Sequence, residues 1–278
     1  TTADVNSLYP SMMSSESGNI YPYGQPHFWT GNYSPKDALD GIHYYFIRIK
    51  TRFLIKPGYL PFIQIKNTFR YRGNECLESS SLTDAEGRET RFYTDADGIT
   101  HDTSVELTLT MTDWKLMQEH YYLFDCEILD GCYFRAAAGF FDTYMEKYKK
   151  QKQTSKGAKR QLAKLFLNNL YGKMATSTNS SFKVARVDEN GVLKFLVVPR
   201  HDKHAGYIPI GAAITSYARN FTIRAAQANY HGIDKPGFIY ADTDSIHCDL
   251  SPDEIQGIKV HPSDFCCWKL ESEWDVAY

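Results

Sequence analysis

No apolar run in the 278 residues approaches the ~18 that a membrane-crossing helix needs. No membrane-crossing helix is expected within these residues, and no signal peptide is visible, though a piece of a longer chain would not show one. Zinc-finger spacing is missing too. The six cysteines (Cys76, Cys126, Cys132, Cys248, Cys266, Cys267) form no C-x-x-C pair and the nine histidines form no H-x-x-x-H pair. All six cysteines therefore read as reduced and structural. Repeats and low-complexity tracts are absent, which removes solenoids and linkers. An excess of positive charge is lacking as well: 31 Lys and Arg stand against 33 Asp and Glu, a net charge of −2. What is plentiful is aromatic surface, 20 Tyr and 16 Phe, enough for core and stacking together.

The charge is segregated rather than small. Between Thr143 and Lys173 stand Lys147, Lys149, Lys150, Lys152, Lys156, Lys159, Arg160, Lys164 and Lys173 against Glu146 alone. Within that stretch Gln161, Lys164, Asn168 and Tyr171 recur at i, i+3, i+7 and i+10, so they share one helix face. Leu162, Leu165, Phe166 and Leu170 fall largely on the other side. An ammonium, an amide and an aromatic ring in line suit a triphosphate and a stacked base. A Lys-rich helix is more often a solvated face. The amide and ring in register with Lys164 weigh against that reading here.

Acidic chemistry concentrates at Tyr240-Ala241-Asp242-Thr243-Asp244-Ser245. An apolar β-prone lead-in (Phe238, Ile239, Tyr240) and a second extended run (Ile246, His247, Cys248) flank it, so the segment reads as strand, tight turn, strand. Two carboxylates held this close repel unless a cation lies between them. Oxygen ligands at that density suit Mg²⁺, bound through one or two carboxylates plus substrate phosphates. The bland alternative is an acidic turn, which Asp and Thr favour anyway. A third carboxylate, Asp4, opens Asp4-Val5-Asn6-Ser7-Leu8-Tyr9-Pro10 at the end of a short β-tolerant stretch, where Pro10 forces an end or a helix start after Tyr9. A two-metal site draws carboxylates from separate strands and holds its ions about 3.5–4 Å apart.

In order and spacing, these segments resemble a known family. Asp4 to Pro10 resembles motif A of family B DNA polymerases, Lys164 to Gly172 resembles motif B, and Tyr240 to Ser245 resembles motif C. Gly157 to Ala175 and the run Tyr207 to Arg219 are similar to the protein-primed members carried by small phages and linear plasmids. One departure stands out: motif B usually reads Asn-Ser before Leu-Tyr-Gly, and here it is Asn168-Asn169, which predicts an adjusted nucleotide pocket. The family also carries a proofreading exonuclease before motif A and a thumb after the palm. With three residues ahead of Asp4 and an end at Tyr278, the chain reads as a palm and fingers piece of a longer polymerase.

The resemblance implies an α+β fold: an antiparallel palm sheet with helices, helical fingers and two insertions. The expected division is palm at 1–15, an insertion like terminal-protein region 1 at 16–139, fingers at 140–175, a hairpin insertion like terminal-protein region 2 at 176–207, and palm at 208–278. Patterning predicts strands at 42–49 and 58–65, and a hairpin of 90–94 with 104–111 around Asp95 to Gly98. It predicts a helix capped by Thr112-Asp113 and running to His120. Further helices fall at 140–152, 155–173 and 214–227, and a hairpin of 182–187 with 192–198 turns at Asn190-Gly191.

The roles implied by the resemblance follow. Asp4, Asp242 and Asp244 would be catalytic and, with the Val5 carbonyl, would hold two Mg²⁺ ions, for which Mn²⁺ can substitute. Tyr9, Lys152, Lys164, Asn168 and Tyr171 would meet the incoming nucleotide, with Tyr9 beneath the sugar and Lys152 approaching as the fingers close. Ser7, Thr215 and Arg219 would contact DNA, although Arg219 could equally form an ion pair. The implied partners are primer-template DNA, dNTPs and a terminal-protein primer, in the host cytoplasm or, for a linear plasmid, the mitochondrion. Two other readings stay open: a non-catalytic nucleic-acid-binding remnant, and a metal-dependent phosphohydrolase, which needs neither Tyr9 nor the Lys164–Tyr171 face.

Overall fold

The structure, a computed structural model, describes residues 1–64, 82–83, 89–177, 181–199 and 204–274. In chain order the strands are β1 (Thr2–Val5), β2 (Tyr21–Thr30), β3 (His43–Ile55), β4 (Leu82–Thr83), β5 (Glu89–Thr90), β6 (Phe92–Thr94), β7 (Thr100–Asp102), β8 (Val105–Thr110), β9 (Tyr121–Ala137), β10 (Ser181–Val187), β11 (Leu193–Pro199), β12 (Phe238–Asp242), β13 (Ser245–Cys248) and β14 (Trp268–Ser272). The α-helices are α1 (Leu8–Met13), α2 (Met111–His120), α3 (Asp142–Thr154), α4 (Gly157–Met174) and α5 (Ile208–Ala228).

Two four-stranded antiparallel sheets organise the chain. The first has the order β12-β13-β1-β14 and joins the chain's beginning to its end. Strand alternation divides its residues between two faces. Ala3, Val5, Ile246, Cys248 and Trp268 are buried, and α5 contributes Ala218, Ala225 and Ala226 to the same cluster. Phe221 stacks on Trp268 with ring centroids 5.7 Å apart. Asp4, between buried neighbours in β1, therefore lies on the opposite face.

The second sheet, β2-β9-β3-β8, is built on β9, which pairs with β2 on one side and β3 on the other. Gly131 sits where β9 passes under Trp29. A Cβ there would come within 2.3 Å of the indole and 2.5 Å of the Phe46 carbonyl, so no larger residue fits. The main core gathers this sheet's Tyr44, Ile47, Ile49 and Phe53 with Met145 of α3, Leu167 of α4 and Ala213 and Ile214 of α5. The basic helices thus rest on the same core as the sheet before them.

Several expectations need correction. Residues 58–64 form a turn and irregular backbone rather than a strand, and Ile65 lies outside the described residues. The hairpin around Asp95 is β6 with β7. β8 pairs instead with β3, whose long edge offers six partners. α2 starts two residues earlier than Thr112-Asp113 suggested: Thr110 is the cap, its hydroxyl accepting from the Asp113 N–H. α5 begins at Ile208 rather than 214, with Pro209 in its first turn, where a missing N–H costs nothing. No burial was expected of particular α4 residues; the buried ones are Ala163 and Leu167, whereas Leu162, Leu165 and Phe166 are exposed. The helix pair at 142–154 and 157–174, broken at Ser155, and the hairpin at 181–199 lie where patterning placed them. Cys126, Cys132, Cys248, Cys266 and Cys267 are free thiols, and Cys76 lies outside the described residues.

Candidate active site

β12 and β13 pair Asp242 with Ser245, leaving Thr243-Asp244 as a two-residue turn. Thr243 has φ +49°, a conformation that costs a β-branched residue of order 1–3 kcal/mol and persists where its surroundings enforce it. Here the buried Thr222 hydroxyl of α5 donates to the Thr243 carbonyl at 2.9 Å. Val5 N–H donates to the Asp244 carbonyl at 2.7 Å. The turn is tied to both α5 and β1, and Asp244 is set beside Asp4, whose backbone partner in β13 is Ser245.

Asp4 and Asp244 line one cleft of about 450 Å³. Burial, then the neighbouring Asp244 carboxylate, then Glu271 push the Asp4 carboxyl up to about 6. Burial, with Asp242 and Glu271, raises Asp244 as well. Asp242 lies outside that lining, exposed, with the Thr243 hydroxyl donating to its Oδ1 at 3.0 Å. Among the described residues no group of three or more His, Cys, Asp and Glu is arranged to hold a metal ion. The donor set is thus two carboxylates held at a cost against burial and each other. Mg²⁺ takes one or two carboxylates and completes its shell with phosphate oxygens and water, so this pair fits it.

The opposite wall is basic. Lys152 from α3 and Arg160, Gln161, Lys164 and Asn168 from α4 line the same cleft. The periodicity that put Gln161, Lys164 and Asn168 on one face is the geometry that aims them here. Lys152 Nζ already donates to the Ser7 hydroxyl at 2.9 Å. Burial, Lys164 and Arg160 hold the Lys152 ammonium below the usual lysine range. Ser7 has φ +56° at the start of α1, and its hydroxyl makes no helix cap. It is directed to Lys152 instead.

Tyr9, in the first turn of α1, stacks on Tyr171 at the end of α4. It lines both the first cleft and a second, of about 720 Å³, with Thr215, Arg219, Tyr240 and Thr243. One guanidinium nitrogen of Arg219, Nη1, donates to both carboxylate oxygens of the buried Asp113 of α2, at 2.6 and 2.7 Å. The Thr215 hydroxyl donates back to the Ala212 carbonyl. Both residues stand on the wall of the second cleft with their polar groups engaged inside the protein.

Lys269 and Glu271 are among the cleft residues that escaped the sequence reading, with Arg160 and Ser263. Lys269 of β14 is the backbone partner of Asp4, and Glu271 lies two residues along on the same face. Both line the first cleft and pair with each other at 2.9 Å. Only the non-local β1–β14 ladder puts them there, and no local signal marks it.

The chain matches the profile of DNA polymerase type B, organellar and viral, over residues 1–259. It is 40% identical over 276 residues to DNA polymerases of Bacillus phages Nf and phi29, covering 99% of this chain and 43% and 42% of theirs. To the DNA polymerase of Streptococcus phage Cp-1 it is 33% identical over 271 residues. Among solved structures, phi29 DNA polymerase complexed with primer-template DNA and incoming nucleotide is similar with TM-score 0.72 and 36% identity, over 96% of this chain and 41% of that one. An orthorhombic crystal form of the same enzyme gives TM-score 0.73 over 98% of this chain and 42% of that one. The chain belongs to the organellar and viral type B DNA polymerases. It spans a little over two fifths of the length of the phage polymerases it matches.

Proposed function

We propose that this chain forms the nucleotide-adding centre of a template-directed DNA polymerase that serves protein-primed replication of a linear genome. One observation carries the reading. Asp4 and Asp244 face Lys152, Arg160 and Lys164 across a single cleft, with Tyr9 at its edge. Acid on one wall and base on the other is what phosphoryl transfer asks of a protein, because its catalysis is mostly positioning and charge stabilisation.

In this reading Lys152, Arg160 and Lys164 bind and orient the triphosphate, with Asn168 beside it. Tyr9 lies beneath the sugar, and Tyr171 packs against the incoming base pair. The primer 3′-oxygen bonds to the α-phosphorus, the bond from that phosphorus to the α–β bridging oxygen breaks, and pyrophosphate leaves with the electron pair. The hydroxyl proton passes to water. Magnesium, or manganese in its place, held by Asp4, Asp244, the Val5 carbonyl and Asp242, would neutralise charge on the attacking oxygen and the phosphate. Ser7, Thr215 and Arg219 would meet primer and template; for Arg219 this requires sharing its guanidinium with Asp113.

The likeness to phi29 polymerase solved with primer-template DNA and nucleotide supports the same substrates here. A terminal protein offering a Ser, Thr or Tyr hydroxyl is the implied first primer. Relatives from Bacillus and Streptococcus phages favour a bacterial host's cytoplasm over a mitochondrion. No helix of the described residues is long and apolar enough to cross a membrane.

The test is Asp4→Asn and Asp244→Asn in the complete gene product. Primer extension should fall roughly a hundredfold or more, while DNA affinity in a gel shift stays near wild type. Extension at the wild-type rate by either variant would sink the two-carboxylate assignment.

A further inference from the structure

A third, smaller cleft of about 290 Å³ adjoins the triphosphate wall. Lys149, Lys152, Gln153, Arg160, Ser263 and Phe265 line it, and it shares Lys152, Arg160 and Ser263 with the active-site cleft. We infer that this cleft is a pyrophosphate site, which receives the leaving group of nucleotidyl transfer as it departs. The inference rests on the polymerase reading above.

Three cations and no carboxylate line the cleft. Lys149 is held in its lining, with Nζ 2.7 Å from Glu16 Oε1 and 4.5 Å from the centroid of the Phe265 ring. Lys152 has the Ser7 hydroxyl as its partner rather than a carboxylate. Lys164 and Arg160 crowd its ammonium, and burial adds to that cost. Such an arrangement gains most from a compact, highly charged anion that several ammonium and guanidinium groups can share. The space is below the ~300–1,000 Å³ typical of sites for drug-sized ligands. The one ring available, Phe265, has a face occupied by Lys149, so no platform is left for a base. Pyrophosphate fits these limits and a nucleotide does not. Because Lys152 and Arg160 belong to both clefts, an anion can pass from one to the other without losing its cations.

Lys149→Met and Glu16→Gln in the complete gene product test the inference, since neither residue touches the active-site cleft. Titration calorimetry with inorganic pyrophosphate alone reads binding without requiring activity, and single-nucleotide kinetics read the KM for dNTP beside product inhibition. Losing one charged partner should weaken pyrophosphate binding and inhibition about tenfold, with the KM for dNTP unchanged. Glu16→Gln, which frees Lys149, should tighten pyrophosphate. Unchanged pyrophosphate binding in Lys149→Met would overturn the inference. So would a shift of both variants in the same direction, which marks a purely structural ion pair. A parallel rise in the KM for dNTP would make the cleft part of the triphosphate site, and a loss confined to DNA affinity would assign it to a phosphodiester backbone. If wild type binds pyrophosphate through Lys149 yet adds no nucleotide, the polymerase reading fails and the anion site stands.

Discussion

The rings of Tyr9 and Tyr171 stack with centroids 4.4 Å apart and planes 14° from parallel. One comes from the first turn after β1, the other from the last turn of α4, so the contact closes the basic helix onto the carboxylate-bearing strand. Both rings stay partly exposed, with Tyr9 facing two clefts. A ring held in that place can act as a steric floor for a sugar as well as a packing residue.

Tyr9→Val should therefore admit ribonucleotides while dNTP addition falls only modestly. A steric contact of this size is worth ~1–3 kcal/mol of discrimination, about 10–200-fold. Competing rNTP and dNTP incorporation measures it. Unchanged discrimination would make Tyr9 a packing residue for Tyr171 and nothing more.

Lys164→Ala should raise the KM for dNTP and lower the maximal rate together, because a phosphate-bound ammonium acts in ground and transition states alike. The drop in kcat/KM should be on the order of a hundredfold. A variant that loses only DNA affinity would move Lys164 to the template path.

The carboxylates predict a pH signature in the metal-free protein. Asp4 has a folded value of about 6, above its ordinary value of 3.8. The folded state therefore holds this proton more tightly than the unfolded state does. The resulting stabilisation is full below the unfolded value and disappears as pH rises through about 6. Asp4→Asn should accordingly melt higher than wild type at pH 7.5 in chelator, with the gap narrowing toward pH 5. Adding Mg²⁺ at pH 7.5 should raise the wild-type melting temperature more than that of the variant. A variant less stable than wild type at pH 7.5 would mean that Asp4 is satisfied without a cation.

Much of this site was legible locally. Asp242 to Asp244 announce a turn because β-prone residues flank them at hairpin spacing, and α4 announces its cleft face because Lys164 and Asn168 recur at helical period. What was hidden depends on pairing at a distance. β9 carries Asp125 at φ +50° and register shifts against β3, so its 17 residues show no clean alternation. β14 is five residues long, and its importance comes only from lying beside Asp4. On α4 it is Ala163 and Leu167, not the larger Phe166, that meet the core, because tertiary packing decides over side-chain size.

Thr222→Val should test how the strained turn is held. It removes the donor to the Thr243 carbonyl while nearly preserving shape, a loss of about 0.5–1.5 kcal/mol. If that bond holds Asp244 beside Asp4, the maximal rate should fall with the KM for dNTP little changed, and Thr222→Ser should restore it. Equal rates for Val and Ser would leave Val5 and the β12–β13 ladder as sufficient supports.

The last prediction concerns β10 and β11. Among the described strands they pair only with each other, and Asp188 closes their tip by accepting from the Asn190 and Val192 N–H groups and pairing with Lys194. Val187, Leu193, Phe195 and Val197 are exposed along the ribbon. Isolated two-stranded hairpins are marginal in water, and this one presents apolar side chains without covering any carboxylate of the cleft. By its place between the Lys164–Gly172 and Tyr240–Ser245 segments, we propose that the ribbon surrounds DNA, as the resemblance to protein-primed polymerases implies. A surrounding ribbon slows dissociation without touching the chemistry. Deleting the tip of the 182–198 hairpin should therefore leave the single-addition rate unchanged, shorten the product made per binding event and impair strand displacement. Product lengths under a DNA trap decide it: long products from the deletion would make the hairpin a surface ornament, and processivity would have to come from elsewhere in the polymerase.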